Sequence, residues 1–305
     1  MLAIFGALAP IFLLILFGQG LRRRAVVPDH VWPGVDRLTY FLFFPCLIVD
    51  ELSKADLGAI AMGPMAAAMA AGVLATSALA LAARRLVGLD GPAFTSVFQG
   101  AIRPNTYVGL AGAKALYGTM GLTLTAVGIA VVVPLVNVLC VTVMARYGRD
   151  GKGATLGAIV GAIVRNPIII AALFGATLNV SGLGRLPVLG DVVEILARAA
   201  LPLGLLSVGA GLDLAAARQA GAGVALSSAF KLALVPGLTA LIGTWLGVDG
   251  AALTIAVLFN ALPCSASSYV LARQMGGDHA LIAAIITVQT LASALTLPVV
   301  LYAFG

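Results

Sequence analysis

The chain alternates long apolar runs with short breaks that contain charged, glycine or proline residues. A membrane-spanning helix needs roughly 20 apolar residues, and this pattern yields ten candidates. They cover residues 2–20, 38–53, 58–83, 92–114, 119–145, 156–179, 189–212, 219–245, 251–273 and 280–304, and we number them spans 1 to 10. We therefore predict an all-α protein with ten transmembrane helices, of which span 2 is the shortest.

The composition agrees with this prediction and excludes several classes of protein. Apolar residues make up 61% of the chain and charged residues 10%, with a mean hydropathy of +1.09, which is far from the composition of a soluble domain. The net charge of +6 does not indicate nucleic-acid binding, because most basic residues lie in the short gaps between spans. The three cysteines lie inside apolar runs, so we expect no disulfide, no metal site and no cofactor.

The basic residues predict an orientation in the membrane. Three of them follow even-numbered spans, and eleven follow odd-numbered spans, namely Arg22, Arg23, Arg24, Arg37, Arg84, Arg85, Arg146, Arg149, Lys152, Arg218 and Arg273. Positively charged loops remain in the cytoplasm. We therefore expect a multi-pass integral membrane protein with both termini outside.

The two halves of the chain share a pattern of prolines. A shift of 157 residues places Pro45 on Pro202, and a shift of 159 residues places Pro104 on Pro263. Because five spans is an odd number, the second copy would enter the membrane from the opposite side, as in the inverted repeats of secondary transporters. The predicted units are a first repeat at 1–147, a short cytoplasmic linker at 148–155 and an inverted second repeat at 156–305.

Pro104 and Pro263 each lie near the middle of a span, among polar residues. Proline removes a backbone donor from a helix, so we expect spans 4 and 9 to be broken and to cross there. The N-termini of the two following half-helices would attract a carboxylate. The predicted substrate-binding and crossover residues are Arg103, Pro104, Asn105, Thr106, Asn260, Pro263, Cys264 and Ser265, with cavity lining by Tyr107, Asn137, Ser267 and Gln289.

Four basic residues lie inside predicted spans, namely Arg103, Arg165, Arg198 and Lys231. A cation at the centre of a span costs about 2.5 to 3.5 kcal/mol on insertion and so needs a partner or a role. Arg103 would contact substrate, or cap the carbonyls that the break in span 4 frees. Lys231, in span 8, is expected to give charge support or coupling. Its ammonium is either held by carbonyls at the ends of the broken helices, or acts as a permanent countercharge in place of a sodium ion, or carries a proton.

Several sequence segments resemble the auxin efflux carrier family, which includes plant PIN-formed auxin exporters and bacterial carriers of malate or malonate. They are Arg165-Asn166-Pro167, the run from Arg103 to Leu110, Lys231 with Pro236, Ala261-Leu262-Pro263, the run from Tyr269 to Ala272, and Gly277-Asp278. The resemblance implies a fold like that of bile-acid symporters. Spans 1, 2, 6 and 7 would form a scaffold, and spans 3–5 and 8–10 a transport domain that slides as an elevator.

The resemblance also implies a function. We expect a secondary transporter for a small organic anion, such as malate, malonate or an auxin-like acid, with the substrate carboxylate at the crossing of spans 4 and 9. It further implies a bacterial inner membrane and a homodimer through the scaffold. Span 3 contains no Asp or Glu, which disfavours coupling through a carboxylate in that span.

Three other functions compete with this one. An enzyme would need a nucleophile, base or metal set, whereas the two histidines lie in predicted loops, so we expect no enzymatic activity. A channel is less compatible with two central helix breaks, which suit alternating access. The alternative that stays open is a sodium-coupled symporter of the bile-acid type with the same architecture.

Overall fold

The computed structural model describes residues 2–54, 62–149, 157, 166–218 and 221–304. Within these ranges the secondary structure is helical, and the only β-type pairing is an isolated bridge. We label the helices α1 Leu2–Arg23, α2 Trp32–Leu38, α3 Phe44–Lys54, α4 Met62–Val87, α5 Gly91–Ile102, α6 Thr106–Tyr147, α7 Pro167–Val180, α8 Leu189–Ala210, α9 Leu214–Ala217, α10 Ala222–Ala229, α11 Val235–Trp245, α12 Gly250–Ala261, α13 Ser267–Gln274 and α14 His279–Phe304. The all-α prediction is confirmed for these residues.

Six helical segments in the described ranges are long and apolar enough to cross a membrane. They are Leu2–Arg23, Met62–Arg84, Thr106–Tyr147, Leu189–Ala210, Ala222–Trp245 and His279–Phe304. Two further apolar helices, Pro167–Val180 and Gly250–Ala261, are shorter than these six. The start of span 3, most of the 148–155 linker and the start of span 6 with Arg165 lie outside the described residues.

Span 2 begins earlier than its hydropathy predicts. Helix α2 begins at Trp32 and continues through a π-turn, Thr39–Phe43, directly into α3. Pro33 occupies the first turn of α2, where a missing N–H is not needed for a helical hydrogen bond. The polar residues Asp36 and Arg37 lie on this first part, outside the apolar run, and for that reason the sequence pattern assigned them to a loop.

Helix α6 is 42 residues long, about twice the length that a bilayer requires. It is two helices that meet at a kink at Gly118, whose φ of 57° and ψ of −135° are open to glycine but strained for other residues. The kink separates the second half of predicted span 4 from span 5. The predicted boundary between these spans is therefore correct to within a few residues.

Two π-turns precede prolines. The turn Thr39–Phe43 comes before Pro45, and a second π-turn, Phe230–Leu234, comes before Pro236. In each case the residue just before the proline donates its N–H to the carbonyl five residues earlier. Because proline has no N–H for the usual bond and its ring crowds the preceding turn, the wider turn relieves the clash.

Small residues allow close contacts between helices. A side chain at Gly18 of α1 would collide with the Leu206 carbonyl of α8, and one at Gly209 of α8 would collide with the Ile15 carbonyl of α1. Helices α3 and α7 also pack closely, at Gly175. Elsewhere, α4 packs against α11 and α12, and α12 packs against α6. Close backbone contact of this kind is typical of helices packed in membranes.

Charged residues form ion pairs near the ends of the helices. Glu194 pairs with Arg198 at 2.7 Å, and Arg185 pairs with both Asp191 and Glu194. Asp50 and Glu51 pair with Lys54 and Lys114 at 2.6 and 3.4 Å respectively. Asp191, Glu194 and Arg198 are spaced at i, i+3 and i+7 along α8, which places them on one helix face, where these ion pairs form.

Candidate functional site

The first helix break lies between α5 and α6. Helix α5 ends at Ile102, Arg103 has an extended conformation, and α6 begins at Thr106. Pro104 disfavours a helical conformation for the residue before it and cannot donate to the preceding turn. Asn105 then caps α6, because its side-chain oxygen accepts the N–H groups of Tyr107 and Val108 at 3.1 and 3.4 Å. The predicted break at Pro104 is confirmed.

The second break lies between α12 and α13. Helix α12 ends at Ala261, Leu262 has a ψ of 145°, and α13 begins at Ser267. Pro263 lies in this non-helical segment, so the predicted break in span 9 is also confirmed. The N-cap residue of α13 is Ala266, which has no side chain that can cap, but the Ser265 hydroxyl accepts the Ser267 N–H at 3.4 Å.

The two breaks lie directly against each other. Pro104 and Cys264 form an antiparallel bridge, and the Asn105 N–H donates to the Pro263 carbonyl at 2.8 Å. This contact joins residues more than 150 positions apart in the sequence. The prolines therefore meet as the sequence predicts, at one crossing of four half-helices.

Arg103 is at the centre of this crossing, and only 9% of its surface is exposed. Its guanidinium donates to the side-chain oxygens of Asn137 at 3.0 Å and Ser267 at 3.2 Å, and approaches that of Gln99 at 3.5 Å. All three oxygens are neutral, and none of the ion pairs in the described ranges includes Arg103. A buried guanidinium with neutral partners retains a strong attraction for an anion.

The side of the crossing next to Arg103 is polar. Ser267 is exposed and Ser265 is half-buried, and their hydroxyl oxygens lie 3.0 Å apart. Thr106 and Tyr107 are half-buried at the start of α6. The ring of Tyr107 stacks on Phe44 of α3 with 4.4 Å between the ring centroids. These four predicted residues are therefore at or near the accessible side of the crossing.

Lys231 is on the other side of the breaks and is fully buried. Its ammonium donates to the carbonyl of Asn260 at 3.0 Å and to that of Ile102 at 3.5 Å. These carbonyls belong to the last turns of α12 and α5, which carry the partial negative charge of a helix C-terminus. The geometry agrees with the first of the three roles that the sequence left open for Lys231.

The remaining predicted site residues point into the protein interior. The Asn260 amide donates to the Met69 carbonyl and the Thr239 hydroxyl, at 3.1 and 2.7 Å. The Cys264 thiol donates to the Ser268 hydroxyl at 3.2 Å. These contacts favour a structural role for Asn260 and Cys264 over direct contact with substrate.

Gln289 joins the two breaks from α14. Its amide oxygen accepts the Cys264 N–H at 2.9 Å, and its nitrogen donates to the Gly100 carbonyl at 3.1 Å. Because Gly100 precedes the first break and Cys264 follows the second proline, one side chain satisfies backbone groups of both. Gln289 is fully buried, so it bonds helix to helix rather than lining an open cavity.

Sequence reasoning missed three polar residues near the crossing. Gln99 is fully buried, and its amide nitrogen has no partner among the described residues. Asp36 of α2 is exposed and accepts a hydrogen bond from Ser207 of α8 at 3.2 Å. Tyr40, in the first π-turn, is close enough to Arg103 and Asp36 to feel both charges. Gln99 had a signal, since it lies four residues before Arg103. Asp36 lies before span 2 and Tyr40 lies near its start, and neither is close in sequence to a predicted break.

The apolar helices and the polar crossing buried among them define a multi-pass integral membrane protein. A sequence profile described as membrane transport protein matches residues 3–153 and again 154–301. The chain belongs to this family, the auxin efflux carrier family that its motifs indicate. It is also similar to an uncharacterized transporter of Methanothermobacter thermautotrophicus, with 26% identity over 292 residues that cover 94% of each chain.

Proposed function

We propose that the protein is a secondary transporter for small organic anions, with Arg103 as the group that binds the substrate carboxylate. The observation that carries the proposal is a buried guanidinium at the crossing of two broken helices, held by neutral oxygens alone among the described residues. A carboxylate would replace these oxygens and form charge-assisted bonds, which are about twice as strong as neutral ones. Ser265, Ser267 and Thr106 supply further polar contacts to the same anion.

The proposed architecture has ten spans in two inverted repeats. The family profile matches the two halves of the chain separately, which supports a repeat of five spans. Helices α1, α3, α7 and α8 pack on one another, and α4, α5, α6, α11, α12 and α14 form a second packed group. We assign the first group to a scaffold and the second to a transport domain that carries Arg103 and Lys231 through the membrane in an elevator-type movement.

The Lys231 ammonium bears on the choice between this transporter and a sodium-coupled symporter of the same architecture. Discontinuous helices in transporters commonly use their C-terminal carbonyls to coordinate a sodium ion. In this chain the carbonyls of Ile102 and Asn260 already receive an ammonium. This favours sodium-independent transport over the symporter.

A thermal-shift screen of the purified protein with small organic acids tests the proposed function. An acid that binds the folded protein raises its melting temperature. We expect selected carboxylates, with malate and malonate in the set, to raise it for the wild type but not for Arg103→Ala. Arg198→Ala is the control, because this arginine is exposed and pairs with Glu194. Equal shifts in wild type and Arg103→Ala would contradict the role of Arg103.

Labelled uptake completes this test. Proteoliposomes with the wild type should accumulate or exchange the acid that the screen selects, and the rate should be the same in sodium and in N-methylglucamine buffers. Uptake that requires sodium would support the symporter instead.

A further inference from the structure

The environment of Lys231 has the properties of a cation site. The backbone oxygens of Ile102 and Asn260 both accept a hydrogen bond from the Lys231 nitrogen. These two oxygens lie at the C-terminal ends of two different broken helices. Both carbonyls belong to the last turn before a break, so no further helical N–H satisfies them. Convergent carbonyl oxygens at helix C-termini attract positive charge whether or not the charge is attached to the chain.

Asn260 carries a further oxygen that lacks a donor within the described part of the chain. The side-chain oxygen of Asn260 is fully buried and has no hydrogen-bond partner among the described residues. The Asn260 amide nitrogen is fixed by its bonds to Met69 and Thr239, so the amide cannot turn its oxygen into those contacts. A buried oxygen without a donor costs stability unless a positive group is near it. The residue therefore offers two oxygens, one from the backbone and one from the side chain, on the helix end that Lys231 contacts.

The position of Lys231 on its helix allows this contact. It is the second residue of the π-turn Phe230–Leu234, which precedes Pro236. The described acidic residues form no ion pair with it. The oxygens that hold the ammonium are thus uncharged, like those that hold an alkali ion in a site made of backbone carbonyls.

We infer that the pocket around the Lys231 ammonium is a monovalent-cation site that the chain fills with its own side chain. The inference rests on the proposed transport function for its meaning, since a tethered ammonium would replace the coupling ion. It makes a separate prediction about binding. If the side chain is shortened, the oxygens of Ile102 and Asn260 should accept a free cation such as methylammonium, which matches the last carbon and nitrogen of lysine, or sodium.

The test compares Lys231→Ala with Lys231→Met. Alanine leaves an empty space in front of the carbonyls, whereas methionine fills most of that space without a charge. Both variants are purified, and melting temperatures are measured in methylammonium, sodium or N-methylglucamine chloride at equal ionic strength. For Lys231→Ala we expect methylammonium or sodium to raise the melting temperature by about 2 to 4 °C over N-methylglucamine. We expect no such difference for Lys231→Met or the wild type.

Two controls keep the outcome interpretable. Lys114→Ala removes a lysine that is half-exposed and paired with Glu51, and it should show no cation-specific shift. If Lys231→Ala does not fold in N-methylglucamine, it is extracted in methylammonium instead. A monodisperse peak in methylammonium then supports the site, and failure to fold in both salts overturns it.

The outcomes separate this inference from the proposed function. A cation-specific shift in Lys231→Ala supports the site even if no organic acid binds. Equal melting temperatures in all three salts would overturn the site, while the Arg103 experiments would still stand. Where organic-acid uptake is measurable, uptake by Lys231→Ala should recover with methylammonium or sodium, and uptake by Lys231→Met should not.

Discussion

Arg103 and Lys231 are both buried cations, but the oxygens that hold them differ in kind. The partners of Arg103 are side chains of Asn137 and Ser267, which can rotate away. The partners of Lys231 are backbone carbonyls of Ile102 and Asn260, which cannot leave without unwinding a helix. The Arg103 guanidinium can therefore exchange its side-chain partners for a substrate carboxylate, whereas the Lys231 ammonium stays bound to the same two carbonyls.

A change at Asn137 tests whether Arg103 is open to exchange. In Asn137→Asp, a carboxylate of nearly the same shape would replace the amide oxygen 3.0 Å from the guanidinium. Because this bond would be charge-assisted, it would compete with the substrate carboxylate. We expect the affinity for the selected organic acid to fall about tenfold or more, as measured by titration calorimetry.

Asn137→Ala is the matched control. It removes a competing oxygen without adding charge, so binding should be retained or become tighter. Weaker binding in Asn137→Ala, equal to that in Asn137→Asp, would indicate that Asn137 itself contacts the substrate.

At the scale of helices, the breaks depend on caps as well as on prolines. Asn105 caps α6, and Asn166 caps α7 with almost the same geometry, accepting the N–H groups of Ile168 and Ile169 at 2.9 and 3.4 Å. Both asparagines lie next to a proline. Only Asn105, however, lies at the crossing, where its own N–H bonds to Pro263.

This pair of caps allows a controlled prediction. Asn105→Ala and Asn166→Ala should each lower the free energy of unfolding by about 1 kcal/mol, because each exposes N–H groups of a helix start. Only Asn105→Ala should also slow uptake, by about tenfold or more, since it loosens α6 beside Arg103. The measurements are melting temperature and initial uptake rate. Equal uptake in the two variants would mean that the cap of α6 matters for folding alone.

The helix breaks could be predicted from sequence, but the directions of their side chains could not. Proline alone was not sufficient, because helices continue through four other prolines, namely Pro10, Pro134, Pro202 and Pro298. Pro104 and Pro263 differ because polar residues surround them in the middle of a span, and this combination indicated the breaks. Whether Asn260 faces the crossing or α4 depends on how α12 is rotated against its neighbours, which a single apolar sequence does not encode. Asp36 was assigned to a loop because α2 begins before the apolar run, at Trp32.

At the scale of the whole molecule, the two packed groups of helices meet at an aromatic contact. Phe44 of α3 stacks on Tyr107 of α6. Gly204 of α8 makes room for it, because a side chain there would approach within 2.9 Å of the Phe44 ring and 3.4 Å of the Tyr107 ring. In the proposed elevator movement this contact must break, whereas contacts within either group persist.

Cross-linking tests that movement. In a background without native cysteines, a short bifunctional thiol reagent that joins Phe44→Cys to Tyr107→Cys should stop uptake, because it ties the scaffold to the transport domain. The control pair is Ser53→Cys with Asn179→Cys, which lie on α3 and α7 of the proposed scaffold, where the Asn179 amide donates to the Ser53 carbonyl at 3.3 Å. Cross-linking of the control pair should leave uptake intact. Uptake that continues after complete cross-linking of the first pair would rule out sliding at this contact.

The bond between the Asn105 N–H and the Pro263 carbonyl has a consequence for how the protein can be assembled. Each half of the chain contributes one interrupted helix, and each interruption covers exposed main-chain groups of the other. Such groups are tolerated at membrane depth only under cover. Two polypeptides separated within the 150–156 segment and produced in the same cell should therefore find each other and restore the carrier, whereas either fragment produced alone should be degraded.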